Sequence, residues 1–179
     1  ISPAYAGSME LRMYPEGYTV VNVVDLESYV KGVIPSEVPS SYGIEALKAQ
    51  AVCARSYAYI QMMHNKYEAY GAHVDDSVNF QVYNKQNQTP ETVAAVDETK
   101  GQVLSYKGDI IETYYYSTSY GHTGDYEAWN LDKDSYGYLH GVWVRSEENP
   151  IDLSDEKSFS DYISNIDNAC YESDLKYFR

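Results

Sequence analysis

An α+β fold, with a long central alanine-rich helix and shorter helices packed against antiparallel strands, is what the sequence predicts. Three observations carry it. Between Gly43 and Tyr67, Ala46, Leu47, Ala51, Ala54 and Ala58 recur at helical spacing. Residues 18–24 form a β-branched, apolar run. Two strand-like segments flank Lys107-Gly108-Asp109, a hairpin pattern. Helices gathered early, with antiparallel strands around and after them, argue α+β over an alternating α/β order.

In chain order, the strand at 18–24 ends at Asp25, a good N-cap for a short helix through Leu26, Tyr29, Val30 and Val33. The segment Ile34-Pro35-Ser36-Glu37-Val38-Pro39 follows, and its two prolines are expected to exclude helix and to push Ile34 and Val38 toward extended backbone. The long helix comes next, with Gly71 as its stop; its small residues let another element approach closely, so it should be central. Residues 72–92 look irregular apart from an extended piece at Phe80-Gln81-Val82-Tyr83. Pro90 and Glu91 start a second helix holding Val93, Ala94 and Val96, with Gly101 as its stop. The hairpin pairs 102–106 with 110–117, a polar loop follows at 117–124, and residues 129–141 are rich in turn formers. Val142-Trp143-Val144 reads as a short strand and Phe159 to Cys170 as an amphipathic helix. No repeat or low-complexity linker interrupts the 179 residues, which suit one domain over 1–179.

Composition narrows the function. Thirteen Lys and Arg against 27 Asp and Glu leave a net charge of −14, so phosphate backbones and anionic headgroups are repelled and nucleic acid is excluded as a partner. The two cysteines, Cys53 and Cys170, make neither a disulfide framework nor a four-cysteine zinc site. No apolar run approaches the roughly 20 residues of a membrane span. The chain opens on Ile1, with no signal-type segment ahead of it, so a processed or trimmed start is expected. Tyrosine is abundant, 21 against 3 Phe and 2 Trp. Its flat apolar face with a polar edge suits carbohydrate stacking and equally any wet surface.

Chemistry concentrates at 32–58. Pro35 and Pro39 stiffen the backbone around Glu37, and Ile34 and Val38 beside it disfavour a charged carboxylate. A carboxylic acid kept protonated is what glycosidic cleavage needs, because the leaving oxygen must receive a proton. The same residues also fit an ordinary loop carboxylate near the N-terminus of the long helix, favoured by its dipole.

The stretch Val21-Asn22-Val23-Val24-Asp25-Leu26-Glu27-Ser28-Tyr29-Val30-Lys31-Gly32-Val33-Ile34-Pro35-Ser36-Glu37-Val38-Pro39, followed by Glu45 to Ala58, closely resembles the SpoIID family, the stage II sporulation protein D and amidase-enhancer proteins of spore-forming bacteria. Gln81-Val82-Tyr83, Thr99 to Leu104 and Tyr115-Tyr116-Ser117-Thr118-Ser119 extend the resemblance over about residues 10–145. It implies a peptidoglycan lytic transglycosylase acting on glycan strands stripped of their stem peptides, with Glu37 as the catalytic residue. Such an enzyme needs one carboxyl group where ordinary glycosidases need two. The product is a 1,6-anhydro-muramic end. The resemblance also implies a cell-wall amidase as partner, an extracytoplasmic location in the cell envelope, and a membrane tether through an N-terminal anchor outside this chain.

Carried over residue by residue, Lys48 and Arg55 match basic residues of the family's helix motif and share one face of the long helix with Glu45. They are expected to border the cleft and hold a carboxylate or acetamido oxygen; a solvated stripe in which Glu45 pairs with Lys48 is the competing reading. Gln50 points nearly opposite Lys48 and is expected to support a neighbouring loop. Ser117, Ser119, Tyr120 and His122 fall in a loop resembling the family's Ser-Thr-Ser-Gly-Gly signature, with Tyr120 where glycine is usual. These four are expected to contact substrate, although Ser/Thr-rich turns also cap their own backbone. Some relatives carry zinc-binding cysteines and a histidine where this chain has residues 70–80; that segment lacks cysteine here, so neither metal nor cofactor is expected. Asp75 and Asp76 read as a solvated acidic pair or a cation site, and Cys53 as a buried small hydrophobe. The family's glycine- and histidine-containing terminal segment has no match before Arg179. Two alternatives to the enzyme stand: a non-catalytic enhancer that stimulates an amidase, and a tyrosine-rich glycan-binding module.

Overall fold

Alternation of Met9, Leu11 and Met13 with Ser8, Glu10 and Arg12 makes residues 8–14 a strand (β1, Ser8–Tyr14), paired antiparallel with β2 (Gly17–Val23) so that Leu11 faces Val20 and Tyr14 faces Gly17. The computed structural model describes residues 4–77, 79–116, 123–142 and 157. The sequence reading has β2 but not β1, because methionine carries little strand preference.

Helix α1 (Leu26–Glu37) opens as expected: Asp25 is extended, and its carboxylate accepts the Ser28 N–H at 3.0 Å. It does not stop at Ile34. Pro35 lies inside α1, which corrects the expectation that the two prolines exclude helix. Pro35 falls in the last turn, where its missing N–H forfeits one bond, and Val30, Val33 and Ile34, all fully buried, hold the helix in place. The second proline does act as expected: Val38, before Pro39, is extended (φ −132°, ψ 129°) and ends the helix.

Helix α2 spans Ile44–His64 and ends at Asn65 in the left-handed region (φ 48°), not at Gly71. Gly71 (φ 67°) instead closes a single 3₁₀ turn at Glu68–Tyr70. Helix α3 (Pro90–Glu98) carries proline first and a reciprocal cap in which Thr89 and Thr92 each accept the other's backbone N–H. The core lies where the three helices meet: Val30, Val33 and Ile34 from α1, Leu47, Ala51 and Ala54 from α2, Ala95 and Val96 from α3, and Tyr83. The small alanines let the helices close on one another, as expected of the central helix; Ala46 lies outside this face and is exposed.

Past α3 the hairpin shrinks to β3 (Ser105–Tyr106) and β4 (Asp109–Ile110), joined by Lys107 (φ 53°) and Gly108 (φ 96°), both left-handed as a tight two-residue turn requires. Side chains of α2 fasten the irregular backbone around it. Ser56 Oγ accepts the Leu104 N–H at 2.9 Å, and Thr113 Oγ1 donates to the Cys53 carbonyl at 2.7 Å.

The chain divides into two units, Ile1–Tyr114 and Tyr115–Arg179. In the second, Asp125 caps a 3₁₀ turn at Tyr126–Trp129 and Asp132 caps α4 (Lys133–Tyr136), consistent with turn-rich sequence. His140 Nδ1 meets Asp125 Oδ2 at 2.9 Å, and the Gly141 N–H on the same oxygen, with His140, holds that carboxyl below the usual carboxylate range. The expected strand at 142–144, beyond Val142 itself, and the helix at 159–170 lie outside the described residues.

Candidate functional site

Glu37 is the last residue of α1. It is half-buried, and its Oε1 accepts the Val82 backbone N–H at 2.6 Å. Among the described residues it makes no ion pair, and its second oxygen has no hydrogen-bond partner.

A cavity of about 490 Å³ opens at Glu37. Pro35, Val38 and Pro39 give it apolar walls, Ser40, Ser41, Gln86, Asn87, Thr89 and Thr92 supply hydroxyls and amides, and Ser36 also borders it. Glu37 is the single carboxylate among these lining residues. Gln86 and Asn87, both exposed, line the same cavity and were not singled out from the sequence. Their signal was weak, since a polar run in an irregular segment resembles any loop.

The two cations of the long helix do not reach this cavity's lining. Arg55 is 1% exposed. Its Nε and Nη2 clasp Glu27 at 2.9 and 2.8 Å, and its remaining donors reach the carbonyls of Ala51, Val96 and Gln102. All five N–H groups are thereby committed. The expectation that Arg55 holds substrate is corrected: its fork ties α1, α2 and α3 together and leaves no donor for a sugar. Lys48 bridges Glu45 at 3.0 Å and Glu98 at 2.7 Å, which raises its pKa, Glu98 contributing most. The pairing with Glu45 was the competing sequence reading, and Glu98 joins it from α3. Gln50 is half-buried, with its Nε2 lacking a hydrogen-bond partner among the described residues. Ser117, Ser119, Tyr120 and His122 lie outside the described residues.

Five tyrosines, Tyr5, Tyr29, Tyr67, Tyr70 and Tyr83, line a second, larger cavity of about 870 Å³ between the β1–β2 hairpin and residues 67–76. Here their polar edges are used internally. Tyr83 stacks on Tyr29 at 4.9 Å and donates its hydroxyl to Asn22 at 2.9 Å, and Tyr67 donates to Asp75 at 2.7 Å. Hydrogen bonds from Ser77 and Tyr67 hold the Asp75 carboxyl below its ordinary range. Cys53 is partly buried, which pushes its thiol pKa up. Among the described residues no group of three His, Cys, Asp or Glu side chains is placed to hold a metal ion. No described helix is long and apolar enough to cross a membrane.

Residues 14–106, which include every residue of the core cluster and Glu37, match the family described as SpoIID, stage II sporulation protein. Among relatives, stage II sporulation protein D of Bacillus subtilis is 35% identical over 148 residues, covering 71% of this chain and 43% of its own. The amidase enhancer of Bacillus subtilis is 41% identical over 102 residues, covering 56% of this chain and 13% of its own. An uncharacterized protein of Brachyspira hyodysenteriae is 39% identical over 139 residues, covering 77% and 37%. The chain thus spans less than half the length of each of these relatives. The match to the family covers the three-helix core and the glutamate that ends its first helix, and the chain belongs to the SpoIID family of stage II sporulation proteins.

Proposed function

We propose that this chain acts on the cell wall in sporulation as a lytic transglycosylase of denuded glycan strands, outside the cytoplasmic membrane, with Glu37 as acid and then base. The observation that carries the reading is a carboxylate alone among the described lining residues: Glu37 borders a cavity that these residues otherwise line with hydroxyls, amides and apolar groups. Hydrolytic glycosidases set two carboxyl groups about 5–9.5 Å apart, one to protonate and one to attack or activate water. One carboxyl suffices when the nucleophile is the substrate's own hydroxyl.

In the proposed reaction the proton leaves the Glu37 oxygen that is not bonded to Val82 and passes to the oxygen linking N-acetylmuramic acid to N-acetylglucosamine. The bond from that oxygen to C1 of the muramic ring breaks, and positive charge spreads over C1 and the ring oxygen. The Glu37 carboxylate then takes the proton of the muramic C6 hydroxyl as O6 bonds to C1, closing the 1,6-anhydro ring. The proton is returned and no water is consumed. Val82 N–H steadies the carboxylate between the two transfers. Gln86, Asn87, Ser40 and Ser41 offer hydrogen bonds to acetamido and hydroxyl groups at the cavity, and Ser117, Ser119, Tyr120 and His122 are proposed as further glycan contacts on the strength of the resemblance.

The test is to incubate the protein with glycan strands stripped of stem peptides and to identify anhydro-muramic ends by mass spectrometry. Wild type is expected to release them. Glu37→Gln, which keeps shape and loses the transferable proton, should fall by about 10²–10⁴-fold, the ordinary worth of general acid–base catalysis. A second reading, in which the chain stimulates a cell-wall amidase without cleaving glycan, is favoured by the relative named amidase enhancer. Glycan binding without anhydro products, together with faster amidase turnover, selects it.

A further inference from the structure

Residues 81–86 join no strand, yet they are fastened to the second half of α1. Val82 N–H donates to Glu37 Oε1 at 2.6 Å, and Asn84 N–H to the Gly32 carbonyl at 3.0 Å. Lys85 N–H and Gln86 N–H both donate to Ser36 Oγ, at 2.9 and 3.3 Å, and the Ser36 hydroxyl itself donates to the Gly32 carbonyl at 3.0 Å. A hydroxyl has one proton to give and two lone pairs to receive, so Ser36 is saturated. Asn84 takes a left-handed turn (φ 56°) between the anchored ends of this strap. The approach is close enough that a Cβ on Gly32 would stand 2.6 Å from the Tyr83 ring.

Among the described residues no other hydrogen bond or ion pair holds the Glu37 side chain. Its aim depends on where the strap delivers the Val82 N–H. Gln81 Nε2 on the Ala54 carbonyl (3.1 Å) and the Tyr83 hydroxyl on Asn22 hold the strap on either side of Val82, and Ser36, next to Glu37 in sequence, holds its far end at Lys85 and Gln86. We infer that Ser36 is a positioning residue for Glu37: its three-way hydroxyl fixes the strap whose Val82 N–H occupies one carboxyl oxygen, so that the transferable proton is confined to the other. The inference rests on the catalytic reading of Glu37 proposed above. Ser36 touches no reacting atom in this account and acts through backbone alone.

A hydroxyl that merely glued two segments together would lower stability and nothing else. The experiment therefore measures kcat and KM on denuded glycan strands, amide hydrogen exchange at Val82, and thermal unfolding, for wild type, Ser36→Ala and Ser36→Thr. Ser36→Ala should lower kcat by roughly tenfold to a hundredfold, the scale of a small misplacement of a reacting group, with KM within about twofold, and should speed Val82 exchange. Ser36→Thr, which keeps the hydroxyl, should restore both. Wild-type kcat in a folded Ser36→Ala protein overturns the inference, as does a loss confined to KM or one that threonine fails to rescue. If wild type releases no anhydro product, the catalytic reading fails on its own. Unchanged Val82 exchange in Ser36→Ala then refutes the latch separately.

Discussion

Two glutamates mark opposite ends of α1 and have opposite fates. Glu27, in the first turn, has both oxygens in the fork of Arg55 and receives the Gly101 N–H at 3.2 Å as well. Glu37, in the last turn, has one oxygen on a single backbone N–H and borders a cavity. The first is spent on structure: its cation is buried, and each polar atom of the pair is answered. The second has one oxygen fixed by backbone and, among the described residues, no hydrogen-bond partner on the other. Residue type and helix are the same, so the difference arises from what the rest of the chain brings to each end. Arg55 comes from the middle of α2, whereas the strap at 81–86 reaches Glu37 with backbone alone.

Substitution at the two ends should separate stability from turnover. Glu37→Gln is expected to keep the fold, with unfolding free energy within about 1 kcal/mol of wild type because an amide oxygen still accepts from Val82, while release of anhydro-muramic ends falls by about 10²–10⁴-fold. Arg55→Ala is expected to do the reverse. It strands Glu27, 21% exposed in its side chain, against a core that has lost its cation, and removal of one partner of a buried pair costs about 3–5 kcal/mol. Arg55→Lys should recover only part, since an ammonium cannot form the planar fork or reach the carbonyls of Ala51, Val96 and Gln102 together. Denaturant titration checks both. An Arg55→Ala protein of normal stability that fails to bind glycan would return Arg55 to the cleft.

Gly32→Ala probes the boundary between the two ends. The added methyl meets a ring that cannot retreat easily, because Tyr83 is stacked on Tyr29 and its hydroxyl is bonded to Asn22. Overpacking costs about 1–3 kcal/mol, and alanine returns about 1 kcal/mol of helix propensity. The net loss should be about 1 kcal/mol, accompanied by faster amide exchange at Val82 and Asn84. Normal exchange at both would mean that the strap tolerates displacement.

This division explains what was legible in the sequence. The Asp25 cap, the Pro90 start of α3 and the alanine face of α2 depend on nearby residues, and local pattern reveals them; Glu37 stands out through the family resemblance. Arg55 was misassigned because its spacing from Lys48 gives only a shared helical face, and both partners that bury it, Glu27 and α3, come from distant segments. Pro35 was read as a helix breaker because its local cost is fixed, whereas the burial of Val30, Val33 and Ile34 that outweighs it is tertiary. The extended piece at 80–83 was legible, but its fastening to α1 was not, because backbone N–H groups carry no sequence signature.

A smaller effect is expected at the helix start. Hydrogen bonds from Ser28 hold the Asp25 carboxyl below its ordinary range. A carboxyl lowered in the folded state stabilises fully above its unfolded value, near pH 3.9, and loses that contribution as pH falls through the folded value. Asp25→Ala should cost about 1 kcal/mol at pH 7, the usual worth of a cap, and Asp25→Asn much less. The gap between wild type and Asp25→Ala should narrow in unfolding experiments below pH 4.

The least effect on stability belongs to Lys48→Ala. Both carboxylates it bridges, Glu45 and Glu98, are more than half exposed, and its own side chain is about a quarter exposed. Water and salt screen such pairs, and the side chain surrenders rotamer freedom to make them. The loss should be at the edge of detection in dilute buffer and vanish near 1 M salt, where screening acts within about 3 Å. Because the ammonium is raised above its ordinary value in the fold, its contribution is complete at neutral pH and fades only as pH climbs through the folded value. Glycan affinity gives the sharper measurement. If Lys48 only pins α3 to α2, Lys48→Ala binds denuded strands as wild type does. A clear drop in affinity without loss of stability would make it a substrate contact, and the glycan would then reach α2, to which none of the described residues lining the Glu37 cavity belongs.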